Sequence, residues 1–284
     1  MRVGEFDHVD AFTAACGPFL LRREREHVAL LGLVESLRHE PPSETAACDL
    51  VAAFDGAQPV AAALGLRTEQ LVLSTGPPAA LSALADHATE QRDPPTAVLG
   101  PAAAVVWFAD RWQDRTGERL RTVGAHRVYA CDRPDPPADV PGAMRPATSG
   151  DREYLTAFGD AFAAEAGSDG KGDGAAFADR VVGPRPDGRL YVWEAAGRPV
   201  AMANTSQPTP GTMTVSSVYT EPGQRRCGIA GALTAAVAAE ILAAGKRSAC
   251  LFLDLAGPAS DGAYTRVGYR PVGDALRLRA AGTR

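Results

Sequence analysis

The sequence predicts an α/β protein with two similar halves. Three observations predict it. Candidate elements recur in the order strand, strand, strand, helix, strand, helix, strand in each half. A stretch with prolines at 136, 137 and 141 lies between the halves and reads as a linker. Each half also carries a strand that passes through a Gly/Pro turn into a helix, Ser74-Thr75-Gly76-Pro77-Pro78 in the first and Thr220-Glu221-Pro222-Gly223 in the second.

In order, residues 11–37 read as helical, with Leu20, Leu30, Leu33, Val34 and Leu37 on an apolar face and 22–26 exposed. Strands Asp49–Phe54 and Pro59–Leu66 follow, joined by Asp55-Gly56, a hairpin signal. Leu71–Ser74 is a strand, stopped by Gly76-Pro77-Pro78, and a helix runs from Ala79 to about residue 90. Val98-Leu99 is a short strand. Ala102–Arg115 is a helix ended by Gly117, and Leu120–Ala130 is strand-like.

The second half repeats the order. A turn at 183–188 precedes strands Leu190–Ala195, Pro199–Thr205 and Thr212–Thr220. Helix 228–245, strand Ala249–Leu255, a helical stretch 257–267 and strand Arg270–Leu278 complete it. The expected division is 1–134, linker 135–142, and 143–284.

Composition narrows the function classes. With 284 residues, 45% of them apolar, the chain suits one large or two ordinary domains. A net charge of −5 gives no pointer to nucleic acid. No apolar run reaches bilayer length, and the N-terminus lacks an apolar signal core. The expectation is therefore no membrane partner. Cys16, Cys48, Cys131, Cys227 and Cys250 are scattered, without CxxC spacing. That argues against a zinc site or a disulfide framework and for a reducing cytoplasm. No metal is expected.

The chemistry concentrates in Val215–Leu233. A β-tolerant run from 213 to 218 ends at Pro222 and Gly223, and a helix starts near Gly228 with Ile229, Leu233, Val237 and Ile241 on one stripe. A strand, a glycine turn and a helix start make an anion site. The helix N-terminus offers free N–H groups and partial positive charge. Arg225 and Arg226 can take further phosphate charge. The same residues also fit an ordinary strand–turn–helix with solvated arginines.

The segment Arg225-x-x-Gly228-x-Ala230, after a strand ending Val218-Tyr219-Thr220, resembles the acyl-CoA signature of the GNAT N-acetyltransferases. Tyr264-Thr265-Arg266-Val267-Gly268-Tyr269 resembles that family's closing segment. The resemblance covers roughly the C-terminal half and implies a fold of two GNAT-like domains in tandem. Each would have a mostly antiparallel twisted sheet flanked by helices, with a splayed strand pair for coenzyme in the C-terminal one. It implies acetyl-CoA as acyl donor, lying along the backbone of Val218, Tyr219 and Thr220. The diphosphate would rest on the turn of Arg225, Arg226, Cys227, Gly228, Ile229, Ala230 and Gly231. The amide at or next to Val218 would face the thioester carbonyl.

The resemblance further implies Tyr264 as general acid to the leaving thiolate; its plain alternative is a packed tyrosine with a satisfied hydroxyl. All five histidines, His8, His27, His39, His87 and His126, lie in the first half. The base is then a carboxylate, a water chain or solvent. Glu165, Glu194 and Asp254 are the carboxylates to test. Asp254 is placed best, because it interrupts the apolar run Leu251–Leu255 at a cost. Where the family often has asparagine this chain has Gly257, with Asp261 as a substitute near the coenzyme; where close relatives are often basic it has Cys227.

Residues 143–148 resemble the family's opening strand, and Ser149 or Asp151 caps the following helix to about residue 166. A four-glycine loop, 167–174, follows as either a lid or a surface insertion. The first half never supplies Arg-x-x-Gly-x-Ala, and Pro77-Pro78 removes two N–H donors at its turn. That half is expected to bind no coenzyme. The expected function is acetyl transfer from acetyl-CoA to a primary amine, by a monomer or homodimer. The alternative is an acyl-CoA-binding sensor or assembly protein without turnover.

Overall fold

In a computed structural model, the described residues are 1–38, 48–66, 70–165, 174–182, 188–206, 208–256 and 261–280. The strands are β1 (Arg2–Glu5), β2 (Cys48–Asp55), β3 (Gln58–Leu66), β4 (Gln70–Leu73), β5 (Ala97–Pro101), β6 (Leu120–Cys131), β7 (Ala143–Pro146), β8 (Leu190–Ala195), β9 (Arg198–Ser206), β10 (Thr212–Thr220), β11 (Ser248–Asp254) and β12 (Arg270–Ala280). The helices are α1 (Val9–Leu21), α2 (Val28–Arg38), α3 (Pro78–Glu90), α4 (Ala102–Thr116), α5 (Arg152–Glu165), α6 (Gly174–Val181), α7 (Ile229–Ala243) and α8 (Asp261–Arg266). Among the described residues, no helix is long and apolar enough to cross a membrane.

Two compact units form: residues 1–128, 253–258 and 271–284 make the first, and 129–252 with 259–270 make the second. In the first, β1-β2-β3-β4-β5-β12 are neighbours in that order. The β2–β3 hairpin closes at Asp55–Gln58, where Gly56 takes the left-handed φ of +59° that a tight turn needs. Side-chain alternation then builds two cores. Leu50 and Ala52 pack with α1 and α2 residues such as Phe12, Leu20 and Leu30, whereas Val51 and Ala53 pack with Leu81, Leu84 and Phe108 from α3 and α4.

Two features of this unit depart from the sequence reading. The helix expected over 11–37 is broken between Leu21 and Val28. At the break His27 is 1% exposed, because its ring bonds back to the Leu20 carbonyl at 2.9 Å. The last strand, β12, pairs antiparallel with β5, from Ala275–Pro101 to Arg279–Ala97. Apolar alternation says that a strand is half-buried, not which strand lies beside it.

In the second unit the order is β11-β10-β9-β8-β7. β7 to β10 pair antiparallel, while β10 and β11 run parallel. Leu155 and Phe158 of α5 pack on Val192, Met202 and Tyr219. Helix α7 buries more than the stripe read from sequence: Gly231, Ala232, Ala235 and Ala238 are buried beside Ile229, Leu233, Val237 and Ile241. Its small residues let the backbone approach neighbours closely.

The proline-rich stretch is pinned within this unit. The Asp135 N–H donates to the Val267 carbonyl at 3.1 Å, and the Trp193 indole donates to the Pro141 carbonyl at 2.9 Å. At Gly142, φ is +105° and a Cβ would lie 2.3 Å from the Glu194 carbonyl oxygen, so only glycine fits. Of the expected four-glycine loop, residues 167–173 lie outside the described residues, as do 183–187 and Gly257.

Candidate active site

The site grows from a change in strand pairing. The parallel ladder of β10 and β11 runs from Thr212–Ser248 to Val215–Leu251 among the described residues. β10 itself continues to Thr220, still paired with β9 through Tyr219–Met202 and Thr220–Ala201. Its edge from Ser216 onward is thus released from β11. Between Ser216 and Tyr219 the β9–β10 register shifts, with Ser217 at φ +49°. Such a bulge re-aims the backbone at a strand edge. Val218, directly after it, is half-buried.

The bulge also sends Tyr219 inward. Its ring is 6% exposed and stands 5.2 Å from that of Phe158. Tyr219 therefore offers backbone, not its phenol, along the released edge. The Thr220 carbonyl accepts a hydrogen bond from Arg225 Nε at 2.8 Å.

The turn follows at once. Pro222–Gln224 forms a 3₁₀ turn, as proline at its start favours. Arg226 is left-handed at φ +64°, and Gly228 caps α7 at φ +82°, ψ −4°. The first helical bond runs from the Ala232 N–H to the Gly228 carbonyl at 2.9 Å. The N–H groups of Ile229, Ala230 and Gly231 precede it and are the helix's unpaired N-terminal donors. Arg225, Arg226, Cys227 and Gly228 are exposed, while Ile229 and Gly231 are buried. A Cβ on Gly228 would stand 3.1 Å from Val140 Cγ2. An exposed turn with glycine in the left-handed region, opening a buried helix, fits a diphosphate.

Helix α8 packs on the start of α7: a Cβ on Gly231 would lie 3.2 Å from Val267 Cγ1. Tyr264 is half-buried on α8. After α8, Gly268 at φ +102° reverses the chain, and the N–H groups of Val267 and Tyr269 both return to the Tyr264 carbonyl at 3.1 Å. Tyr269 is fully buried, and its hydroxyl donates to the Thr234 carbonyl of α7 at 3.4 Å. Burial raises the pKa of both phenols, moving them further from neutral pH, where a tyrosine is already protonated. Asp261 begins α8; its side chain lies outside the described residues.

The expected carboxylates stand elsewhere. Asp254 is exposed, belongs to the first compact unit, and accepts the Ala256 N–H at 2.8 Å. It ends the strand instead of interrupting it, so the burial cost read from its apolar neighbours does not arise. Glu194 pairs with Arg145 at 2.6 Å, and Glu165 with Arg225 at 2.6 Å. Arg145 also takes both oxygens of Asp151 at 2.8 Å, and Asp151 caps residues 148–151 through the Thr148 N–H and hydroxyl. Arg145 first, then the Thr148 bonds, holds the Asp151 carboxyl down at about 2.

Residues 156–269 match the family model described as acetyltransferase (GNAT) family. That stretch is similar to the GNAT acetyltransferases. Solved structures extend the likeness. A GCN5-related N-acetyltransferase from Sphaerobacter thermophilus superposes with TM-score 0.60 at 20% identity, covering 98% of this chain and 95% of that one. A tandem GNAT protein from the clavulanic acid biosynthesis pathway covers 100% of both chains, with TM-score 0.56 at 14% identity. A GCN5-related enzyme from Kribbella flavida gives 0.51 at 21% identity over 78% of this chain and 87% of that one. At such identities the likeness is one of fold, and the fold is the tandem GNAT arrangement expected from the sequence. No curated protein matches the chain.

The first GNAT-like unit handles its own turn differently. The Thr75 N–H and hydroxyl both donate to His27 Nε2, at 3.0 and 2.9 Å, while Nδ1 donates to the Leu20 carbonyl. Gly76 packs so tightly that a Cβ would fall 2.6 Å from that of Ala61. Helix α3 then opens on Pro77 and Pro78, neither of which has an N–H to offer. Sequence reasoning saw the prolines and missed His27, whose partner is 48 residues away.

Proposed function

We propose that the chain is an acetyl-CoA-dependent N-acetyltransferase, with the GNAT domain of the second unit as the acting half. The observation that carries this is one continuous path of main chain: the released edge of β10, the bulge at Ser217, and the left-handed turn at Gly228 opening α7. Bound there, acetyl-CoA supplies an activated acyl group, whose C–S bond breaks as an acceptor amine forms the amide.

The chain's own residues divide the work. The backbone from Val218 to Thr220 aligns the pantetheine arm in the manner of an added strand. The amide at or beside Val218, re-aimed by the bulge, donates to the carbonyl oxygen as it gains negative charge. The N–H groups of residues 226–231 and the charge of Arg226 hold the diphosphate. Tyr264, a phenol that is protonated at neutral pH and that burial pushes further up, delivers a proton to the departing sulfur. Glu165 and Glu194 are held by arginines, so the amine's proton passes to solvent.

The first unit is proposed to bind no coenzyme, because the Thr75 amide is taken by His27 and two prolines follow. The acceptor is a primary amine.

Titration of the full chain with acetyl-CoA by calorimetry, then thiol release against a panel of amines, tests the proposal. Binding with turnover on at least one amine is expected. Binding without any turnover would favour a coenzyme-sensing protein, and no binding would overturn both.

A further inference from the structure

We propose that Arg225 is a positioning residue, and that its ion pair with Glu165 sets the shape of the coenzyme turn from a distance. This rests on the acetyl-CoA reading above. The motif's first arginine would ordinarily be taken as a phosphate ligand, but here its guanidinium is turned back on the protein. Nε donates to the Thr220 carbonyl at 2.8 Å, and Nη2 donates to Glu165 Oε1 at 2.6 Å. The guanidinium carbon also lies 5.5 Å from the centre of the Tyr219 ring.

These partners have meaning in the fold. Thr220 is the last residue of the released strand β10, and Glu165 is the last residue of α5. One planar side chain thus ties the end of that strand and the end of a helix to the start of the turn. A guanidinium suits this, because its fork reaches a carbonyl and a carboxylate at once; a lysine ammonium has the charge without the fork. Arg225 is extended at ψ 159°, and the next residue, Arg226, reverses into the left-handed region and is exposed. The two neighbouring arginines therefore do different things. Arg225 anchors the turn and Arg226 meets the anion. Glu165 is then an anchor as well, and not the base.

The two roles open to Arg225 give opposite signs when Glu165 is neutralised. If Arg225 touched the diphosphate, Glu165→Gln would remove a competing anion and strengthen coenzyme binding. If Arg225 positions the turn through Glu165, the same change weakens it. The experiment is calorimetry with acetyl-CoA on the full chain and on Glu165→Gln, Arg225→Lys and the double variant. It is paired with amide hydrogen exchange over residues 220–231 without ligand.

The expected result is a Kd raised about 3- to 10-fold in each single variant, a size suited to one half-exposed ion pair. The double variant should be no worse than the weaker single one. Turnover at saturating acetyl-CoA should stay within about twofold, the melting temperature should hold, and turn amides should exchange faster in both singles. Equal or tighter binding by Glu165→Gln overturns the proposal, as does unchanged exchange in the turn. Should the unaltered chain fail to bind acetyl-CoA, the enzymatic reading falls, and the exchange data alone decide whether the pair shapes the turn.

Discussion

The rings of Tyr264 and Tyr269 meet edge to face, with centroids 6.1 Å apart and planes at 71°. Tyr269 is fixed from below by burial and by its bond to the Thr234 carbonyl. It therefore gives Tyr264 a rigid wall, and the turn at Gly268 sets the distance between them. The orientation of the proposed acid comes from the core of α7, not from the short helix that carries it.

Because the ring packs and the hydroxyl reacts, the two can be separated. Tyr264→Phe keeps the edge-to-face contact and loses the proton donor. Turnover should fall about 10²-fold, with acetyl-CoA affinity and melting temperature nearly unchanged. Steady-state kinetics beside calorimetry checks this, and unaltered turnover would remove Tyr264 from the mechanism.

Gly228 tests the turn. Alanine there must hold φ near +82° and bring its Cβ to 3.1 Å from Val140. A left-handed non-glycine residue costs about 1–2 kcal/mol, a few degrees of melting temperature in a chain of this size. Acetyl-CoA affinity should drop about 10-fold, since a shift of the turn misplaces several amides together. Retained affinity in a calorimetric titration would argue that the diphosphate sits elsewhere.

Asp151 is the structural carboxylate of the second unit. It is 4% exposed, and Arg145 holds its carboxyl at about 2, below the ordinary 3.8. A depressed carboxyl stabilises the fold above its unfolded value, and that support fades as pH falls from about 4 towards about 2. Asp151→Asn should cost about 1–3 kcal/mol at pH 7, the worth of bonds to a charged group. Urea unfolding should also show a flatter pH dependence for the variant within that acid window.

His27 makes the first unit acid-sensitive at a higher pH. Burial lowers its pKa below 6.5, and its Nε2 must stay unprotonated to accept from Thr75. Below about 6.5 the unfolded chain takes up a proton that the folded chain refuses. Stability therefore falls on acidification, by up to about 1.4 kcal/mol per pH unit for one site. His27→Gln should be less stable at pH 7.5 and show a shallower fall between pH 6.5 and 5. An equally steep fall in the variant would place the acid response at another group.

Much of this was legible in the residues. The hairpin at Asp55-Gly56, the halt at Pro222-Gly223 and the start of α7 at Gly228 appear where turn chemistry puts them, because each depends on backbone angles within a few residues. The spacing of Arg225, Gly228 and Ala230, with Tyr264 and Tyr269 behind, pointed to the family that the comparisons then matched over 156–269. Other features had no local signal. Ser217 looks like any β-tolerant serine, yet it carries the bulge. Nothing near Arg225 in sequence announces Glu165, 60 residues earlier, as its partner. Asp254 reads as a buried carboxylate until the end of its strand proves exposed.

By itself the sequence determined the alternation of strands and helices, the repeat of that order, and the glycine turn that opens α7. Those follow from periodicity, sterics and capping, which act over one or two helical turns. Only the tertiary structure decided that β12 lies beside β5, that β10 leaves β11 after Val215, and that His27 holds the Thr75 amide. Each of these is a choice among distant partners with similar local character. Such choices are settled by which pairing buries the apolar faces and satisfies the buried N–H groups together, a condition that no short stretch of chain contains.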